Sequence, residues 1–220
     1  VLGGVTKVTS SYFTIGRGTG TAPYLARPSL YIGNGAYMEM ASFVMANWNG
    51  NGNFRCNPDL AVTNGTLVVF GDCFLGENTA ATSTVTVANS SLFRSDSTGA
   101  TRGMIFGFGG PAKTDVIFDG TSTGRVYQAR LARLTSLTVQ GNSVFEMDTT
   151  PTNALLPEAS DFNTGRVLFN GGTLAQRTTK LASDWFGGMT NLLVGANNLT
   201  LDAATHAWLY PQTRANPSNP

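Results

Sequence analysis

Sharp breaks built from asparagine, aspartate, glutamine and glycine interrupt short alternating apolar segments all along this 220-residue chain. In "VLFNGGTLAQR", apolar residues alternate, an asparagine and two glycines follow, and a new segment begins. Asparagine, aspartate and glycine tolerate a positive φ, so each break predicts a tight corner between two strands. The predicted corner residues are Asn34, Gly35, Asn64, Gly65, Asn89, Asp119, Gly120, Gly141, Asn170, Gly171 and Asn197.

The spacing of these corners predicts the architecture. Successive breaks are separated by 30, 25, 30, 21, 30 and 26 residues, a mean of 27. Internal periods of roughly 20 to 50 residues are typical of solenoids and propellers, and this period is too short for a four-stranded blade. The sequence therefore predicts an all-β fold, a parallel β-helix (β-solenoid) of about seven irregular coils. The alternative is a β-sandwich of hairpins, because Asn-Gly also forms hairpin turns.

A second glycine signal follows apolar pairs at Gly16, Gly76, Gly107 and Gly195. Polar loops of different length follow the first three, which explains the irregular spacing of the corners. Helical periodicity is weak: residues 125–137 come closest, and a single helical turn is expected at 181–187. We expect one solenoid domain over residues 1–210 and a proline-rich tail over 211–220.

The composition favours a neutral, hydrogen-bonding surface. Hydrophobic residues make up 41% of the chain and charged residues only 12%, and the net charge is +1. This balance suits extracellular β-rich proteins and gives no electrostatic reason to expect a nucleic-acid partner. The apolar stretches are far shorter than the roughly 18 residues of a membrane-spanning helix, so no membrane span is expected.

Two cysteines, Cys56 and Cys73, lie 17 residues apart. In an exported protein they are candidates for a disulfide, and the alternative is a pair of buried thiols. Two cysteines do not make a metal site, and no cofactor is expected.

Acidic pairs are the candidate catalytic residues, since a glycosidase needs two carboxylates across a cleft. Glu146 and Asp148 share one face of a predicted strand, as do Asp115 and Asp119, because strand side chains repeat with a period of two. The same pairs are candidate Ca²⁺ ligands, or simply solvated acids. His206, the one histidine, has no partner marked by a motif. No residue is therefore assigned a catalytic or metal-binding role.

A small basic cluster and one tryptophan are the candidate contact residues. Arg125, Arg130 and Arg133 lie close in sequence, and Trp48 lies in the Gly/Asn-rich stretch "ANWNGNGN". Arginines bind acidic groups, and an exposed aromatic ring stacks on sugars or packs against a neighbouring subunit. A solvated basic face is the alternative interpretation.

The pattern apolar-apolar-Gly followed by apolar-x-apolar-x-Asn-Gly-x-Leu, and above all "NGGTL" at 170–174, resembles the strand repeats of bacterial autotransporter passengers and related secreted β-helix proteins. The resemblance covers most of residues 12–202. It implies a right-handed parallel β-helix, export, and a role at or beyond the bacterial cell surface, often in adhesins.

The function predicted from these features is that of a non-enzymatic extracellular structural protein. Solenoid ends expose sheet edges that associate unless they are capped, and the first 15 residues read as strand with Lys7 as their one charge. We therefore expect a surface or filament component that self-associates through its ends. The alternatives are an adhesin or glycan-binding passenger module, and a polysaccharide lyase or hydrolase.

Overall fold

The computed structural model of the chain describes residues 4–8, 12–17, 25–47, 55–76, 82–95, 104–107, 113–132, 134–147, 155–157, 165–176 and 191–202. Within these ranges the regular elements are all strands. In chain order they are β1 (Val5–Val8), β2 (Phe13–Arg17), β3 (Leu25–Ala26), β4 (Ser29–Gly33), β5 (Tyr37–Met40), β6 (Phe43–Asn47), β7 (Arg55–Cys56), β8 (Asp59–Thr63), β9 (Thr66–Val69), β10 (Cys73–Leu75), β11 (Thr82–Ala88), β12 (Leu92–Ser95), β13 (Met104–Phe106), β14 (Lys113–Phe118), β15 (Thr123–Val126), β16 (Ala129–Leu131), β17 (Thr135–Gln140), β18 (Val144–Met147), β19 (Leu155–Pro157), β20 (Arg166–Asn170), β21 (Thr173–Gln176), β22 (Asn191–Val194) and β23 (Thr200–Asp202).

The strands form three long parallel sheets and one short one. The eight-stranded sheet has the order β1-β5-β9-β12-β15-β18-β21-β23, and the seven-stranded sheet has the order β22-β20-β17-β14-β11-β8-β4. The six-stranded sheet has the order β19-β16-β13-β10-β6-β2, and β3 pairs with β7. From β4 to β21 the chain visits the three long sheets in turn, so each coil there adds one strand to each sheet.

The predicted all-β solenoid class is confirmed. The β-sandwich alternative is wrong, because the described strand pairs are parallel and hairpins are antiparallel. Residues 125–137, the segment closest to helical spacing, form the end of β15, then β16, and the start of β17. The predicted turn at 181–187 and the tail at 211–220 lie outside the described residues.

The core is a set of columns that run along the solenoid axis. In a strand such as β11 every second residue is buried, which is the period of two expected for one inward face. Inward residues then stack on their register partners in the next coil, as Leu67 does on Phe93. Six phenylalanines are among the largest fully buried side chains, and burial of each stabilises the fold by about 1.5–3 kcal/mol. They are Phe43, Phe93, Phe106, Phe118, Phe145 and Phe169.

One inward column of the eight-stranded sheet contains a glycine, and a phenylalanine ring from the seven-stranded sheet occupies the space beside it. Gly124 lies in register between Phe93 and Phe145 in the eight-stranded sheet. A Cβ atom at Gly124 would lie 2.6 Å from Cζ of Phe118 and 2.8 Å from Cδ2 of Phe145. The rings of Phe118 and Phe145 are 5.4 Å apart and tilted by 60°, a favourable aromatic geometry. The absent side chain at Gly124 therefore makes room for the Phe118 ring.

Candidate functional site

The predicted corners lie between strands of the seven-stranded and eight-stranded sheets, from β4/β5 to β22/β23. Most of them use the backbone conformation that their residue types tolerate. Positive φ angles occur at Asn34, Gly35, Asn64, Asn89, Ser90, Gly120, Gly141, Gly171 and Asn198. At the last corner the positive φ is at Asn198, one residue beyond the predicted Asn197. Gly65, Asp119 and Asn170 lie in corners without a positive φ.

Main-chain hydrogen bonds connect these corners along the axis. The N–H of Gly35 donates to the carbonyl oxygen of Asn64 at 2.7 Å, and the N–H of Gly171 donates to that of Asn198 at 2.8 Å. One asparagine side chain contributes directly: Oδ1 of Asn170 accepts the N–H of Asn197 at 3.1 Å. The described corners are thus held mainly by backbone pairing, and the glycine and asparagine residues supply the conformation that allows it.

A column of buried serines lies beside the corners, and the sequence pattern did not predict it. The residues that precede the strands of the eight-stranded sheet include Ser91, Ser122 and Ser143, all buried. Oγ of Ser143 donates to the carbonyl oxygen of Phe118 at 3.1 Å, one coil away. Oγ of Ser91 accepts the N–H of Gly65 at 3.3 Å. The hydroxyls of Ser91 and Ser143 therefore connect neighbouring coils where the chain turns.

The glycines that follow apolar pairs mark a second kind of corner. Gly16, Gly76 and Gly107 have φ angles of 76°, 85° and 74° and lie at the ends of strands of the six-stranded sheet. Ala46 lies at the equivalent position of β6 with a φ of 55°, although alanine rarely adopts that conformation. Gly195 differs, because it follows β22 of the seven-stranded sheet and has no positive φ.

The two candidate arginines that the structure describes, Arg125 and Arg130, lie in different sheets. Arg125 lies in β15 of the eight-stranded sheet, and its Nε contacts Oε2 of Glu146 at 2.7 Å. Arg130 lies in β16 of the six-stranded sheet, where its Nε donates to Oε1 of Gln128 at 3.1 Å. Arg133 and Trp48 lie outside the described residues. The two described arginines therefore belong to different faces, each held by a partner of its own.

The candidate acids are also engaged in local contacts. Asp115 lies 3.3 Å from Nζ of Lys113 and accepts a 2.6 Å hydrogen bond from Oγ of Ser136. Oδ1 of Asp119 accepts the N–H of Gly120 at 2.7 Å, which fixes that corner. The Glu146 side chain is 6% exposed and pairs with Arg125. Asp148 and His206 lie outside the described residues. Among the residues described, no group of three or more His, Cys, Asp or Glu side chains forms a metal site.

The two cysteines are free and buried, so the structure has two separate thiols and not the disulfide considered from the sequence. Cys73 belongs to the main core, whereas Cys56 packs with Ala46 in a separate small cluster. Burial raises the pKa of the Cys56 thiol to about 11. Burial, and then the nearby carboxylate of Asp72, also raises the pKa of Cys73. Neither thiol is set up as a nucleophile, since the reactive form is the thiolate.

The ends of the described solenoid expose residues that are buried elsewhere. Val194 and Leu201 occupy inward register positions, paired with Phe169 and Leu174. Phe169 and Leu174 are fully buried, but Val194 is 56% and Leu201 is 41% exposed. At the other end Val5 is 80% exposed, but it lies opposite Tyr37 on the outward side of the eight-stranded sheet. The outermost strands of the eight-stranded sheet are β1 and β23, the first and last strands described.

Within the described part of the chain, no helix is long and apolar enough to cross a membrane. Searches against protein-family models, curated proteins and solved structures found no match to this chain.

Proposed function

We propose that this chain is a non-enzymatic structural protein of the cell surface or extracellular space that associates end to end into filaments. One observation carries the proposal: Val194 and Leu201, at core positions of the last described coil, are about half exposed. In the preceding coil the same columns are closed by a further strand. A second solenoid end packed against this coil covers both side chains.

The outer strand of each sheet gives a physical reason for end-to-end association. An outer strand presents unpaired N–H and C=O groups and templates the addition of another strand. Among the strands that the structure describes, β22 and β23 are the outermost at this end of their sheets, and Val194 and Leu201 there are partly exposed, so strand pairing and burial favour the same contact. Joining one end to the opposite end of another copy is a heterologous contact, which builds open filaments when it does not close into a ring.

The extracellular location is supported by composition and resemblance. Charged residues make up only 12% of the chain, and the "NGGTL" type of repeat resembles bacterial autotransporter passengers. The adhesin alternative finds less support, because Arg125 and Arg130 lie in different sheets. The lyase or hydrolase alternative finds less support as well, because Asp115 and Glu146 lie in different sheets and each has a basic partner.

Sedimentation velocity and negative-stain microscopy of the 220-residue chain across a concentration series test this function. We expect rods that lengthen with concentration, in steps of about 34–38 Å for seven or eight coils at about 4.8 Å each. Leu201→Glu places a charge in the exposed end and raises the assembly threshold at least about tenfold. Phe70→Glu is the matched control, because Phe70 is 50% exposed but lies beside β9, away from either end. A wild-type chain that stays monomeric at millimolar concentration refutes the proposal.

A further inference from the structure

The outward face of the seven-stranded sheet is an open surface on the side of the solenoid. Two outward columns of side chains run along it, and each strand contributes one residue to each column. The first column contains Ser29, Asp59, Thr84, Asp115, Ser136, Arg166 and Asn191, and the second contains Tyr31, Ala61, Thr86, Ile117, Thr138, Leu168 and Leu193. The side chains of both columns are exposed or half-buried, so this face is accessible to a partner.

The residue types of the first column mirror one another about β14, the central strand of the sheet. Asp59 lies in β8, two strands to one side of β14, and Arg166 lies in β20, two strands to the other side. Thr84 and Ser136, in the strands directly beside β14, both carry hydroxyls. Opposite charges and matching hydroxyls therefore lie at equal distances from the centre of the face.

The second column has the same symmetry in its apolar residues. At equal distances from β14, apolar residues correspond to apolar residues and threonine corresponds to threonine. The pairs are Tyr31 with Leu193, Ala61 with Leu168 and Thr86 with Thr138, and Ile117 lies at the centre. The ring of Tyr31 lies along the sheet, since a Cβ atom at Gly33 would be 2.5 Å from it. A low ring of this kind suits face-to-face packing.

The two mirrored charges are available for an intermolecular contact. Asp59 and Arg166 are both exposed, and within the described part of the chain their side chains form no ion pair or hydrogen bond. The charges on the central strand, by contrast, already neutralise each other, because Nζ of Lys113 lies 3.3 Å from Asp115. A partner that brings a positive charge to Asp59 and a negative charge to Arg166 therefore complements this face.

We propose that two copies of this chain pair laterally, with their seven-stranded sheets face to face about a two-fold axis that runs along β14. A two-fold interface is self-complementary, so residue i contacts residue j and j contacts i. Asp59 of each copy then faces Arg166 of the other, and the apolar residues of the second column face one another. Facing sheets pack about 10 Å apart, a distance that aspartate and arginine side chains span together. This contact uses the side of the solenoid, so it goes beyond the end-to-end association proposed above and does not depend on it.

The charges also select this axis over the other face-to-face arrangement. A two-fold axis along the solenoid places each strand against its own copy in the antiparallel direction. Asp59 then faces Thr63, the other outer residue of β8, and Arg166 faces Asn170 of β20. Both charges lose water without gaining an opposite charge, which is unfavourable.

The size of the face sets the expected strength of the contact. Seven strands at about 4.8 Å spacing, each about five residues long, cover about 29 Å by 17 Å, or about 500 Å² on each copy. The total of about 1,000 Å² is at the lower limit for a specific interface. We therefore expect a reversible dimer with a Kd in the micromolar to millimolar range.

Charge reversal with two independent repairs tests the pairing. Sedimentation velocity of the Leu201→Glu chain, in which end-to-end association is suppressed, measures the lateral dimer by itself. In that parent chain, Asp59→Arg and Arg166→Asp each place like charges at both contacts and raise the Kd at least about tenfold. The double variant Asp59→Arg/Arg166→Asp and the equimolar mixture of the two single variants both face opposite charges again. Each returns the Kd to within about threefold of the parent.

Phe70→Arg is the matched control, because Phe70 is 50% exposed and lies beside β9 of the eight-stranded sheet. This variant adds a positive charge on another face and leaves the Kd unchanged. Circular dichroism checks that every variant retains its strand content.

The outcomes separate this contact from the filament. A parent chain that stays monomeric at about 1 mM, together with a wild-type chain that forms rods but no side-by-side pairs, refutes the lateral contact and leaves the filament standing. Lateral dimers without rods refute the filament and leave the lateral contact standing. Dimers that tolerate both single reversals, or reversals that neither the double variant nor the mixture repairs, refute the pairing of Asp59 with Arg166 in a second copy.

Discussion

Gly124 is the position where the packing of this solenoid is most directly testable. Its φ lies outside the positive range, so alanine there meets no backbone penalty. The added Cβ, however, would lie 2.6 and 2.7 Å from two Phe118 ring atoms and 2.8 Å from a Phe145 ring atom. Both rings are fully buried, so neither has free space to move into.

The expected loss of stability follows from two opposing terms. Overpacking a dense core costs about 1–3 kcal/mol. Replacing a strand glycine by alanine restricts the unfolded chain and returns about 0.5–1 kcal/mol. Since three ring atoms would lie within 2.8 Å of the added Cβ, the overpacking cost falls in the upper half of its range, and we expect Gly124→Ala to lower the free energy of unfolding by about 1–2.5 kcal/mol. Urea unfolding followed by circular dichroism measures this as a lower midpoint at unchanged slope.

A double-mutant cycle identifies the cause. Phe118→Leu shortens the ring that approaches Gly124, so the two changes together cost less than their sum by about 0.5–2 kcal/mol. Phe169→Leu is the matched control, since β20 lies two strands beyond β14 in the same sheet and the pair is expected to be additive. A Gly124→Ala chain as stable as the wild type, or equal coupling to both phenylalanines, refutes the steric argument.

Three further predictions concern the two kinds of corner and the thiols. In urea unfolding, Gly76→Ala is expected to lower the free energy of unfolding by about 3 kcal/mol and Gly35→Ala by about 1–2 kcal/mol. Both glycines have a positive φ, but a Cβ at Gly76 would overlap Oγ1 of Thr114, whereas a Cβ at Gly35 would meet open space. Equal losses would contradict the steric difference. Cys56 and Cys73 are expected to resist a thiol reagent such as DTNB at pH 8 until the chain unfolds, and rapid labelling of the folded chain would contradict their burial. A thiol in the unfolded chain has a pKa near 9.0, whereas burial raises the pKa of Cys56 in the folded chain to about 11. The contribution of the neutral Cys56 thiol to stability is therefore complete below pH 9 and is lost as the pH rises towards 11. Urea unfolding midpoints across that pH range measure this loss.

The corners and the fold class were predictable because they depend on local chemistry. A positive φ favours glycine or asparagine through local sterics, and the spacing of such residues reveals the period. Gly16, Gly76 and Gly107 were visible for the same reason. Ala46 shows the limit: it occupies the equivalent conformation with a residue type that gives no such signal.

The contacts between coils were not predictable, because they join residues one coil or more apart. Glu146 pairs with Arg125, 21 residues away. Which side chains become neighbours in adjacent coils depends on the strand register, and the register depends on the lengths of the loops between the strands. Gly124 reads as an ordinary turn glycine in "TSTGRV", yet it lies in a strand and makes room for Phe118. Knowledge of the full register is needed before such a position can be interpreted.

The gap at Gly124 means that the coils are not interchangeable modules. The corners repeat, but the inward column of the eight-stranded sheet alternates between Leu67, Phe93, Gly124 and Phe145, each fitted to a particular neighbour. Deleting the coil of β14, β15 and β16 removes Gly124 together with Phe118 and brings Phe93 against Phe145, two rings that are separated by Gly124 in this core. Lengthening or shortening this solenoid by recombination between coils therefore requires repacking on both sides of the junction, so growth by simple duplication is constrained by side-chain volume more than by the turns.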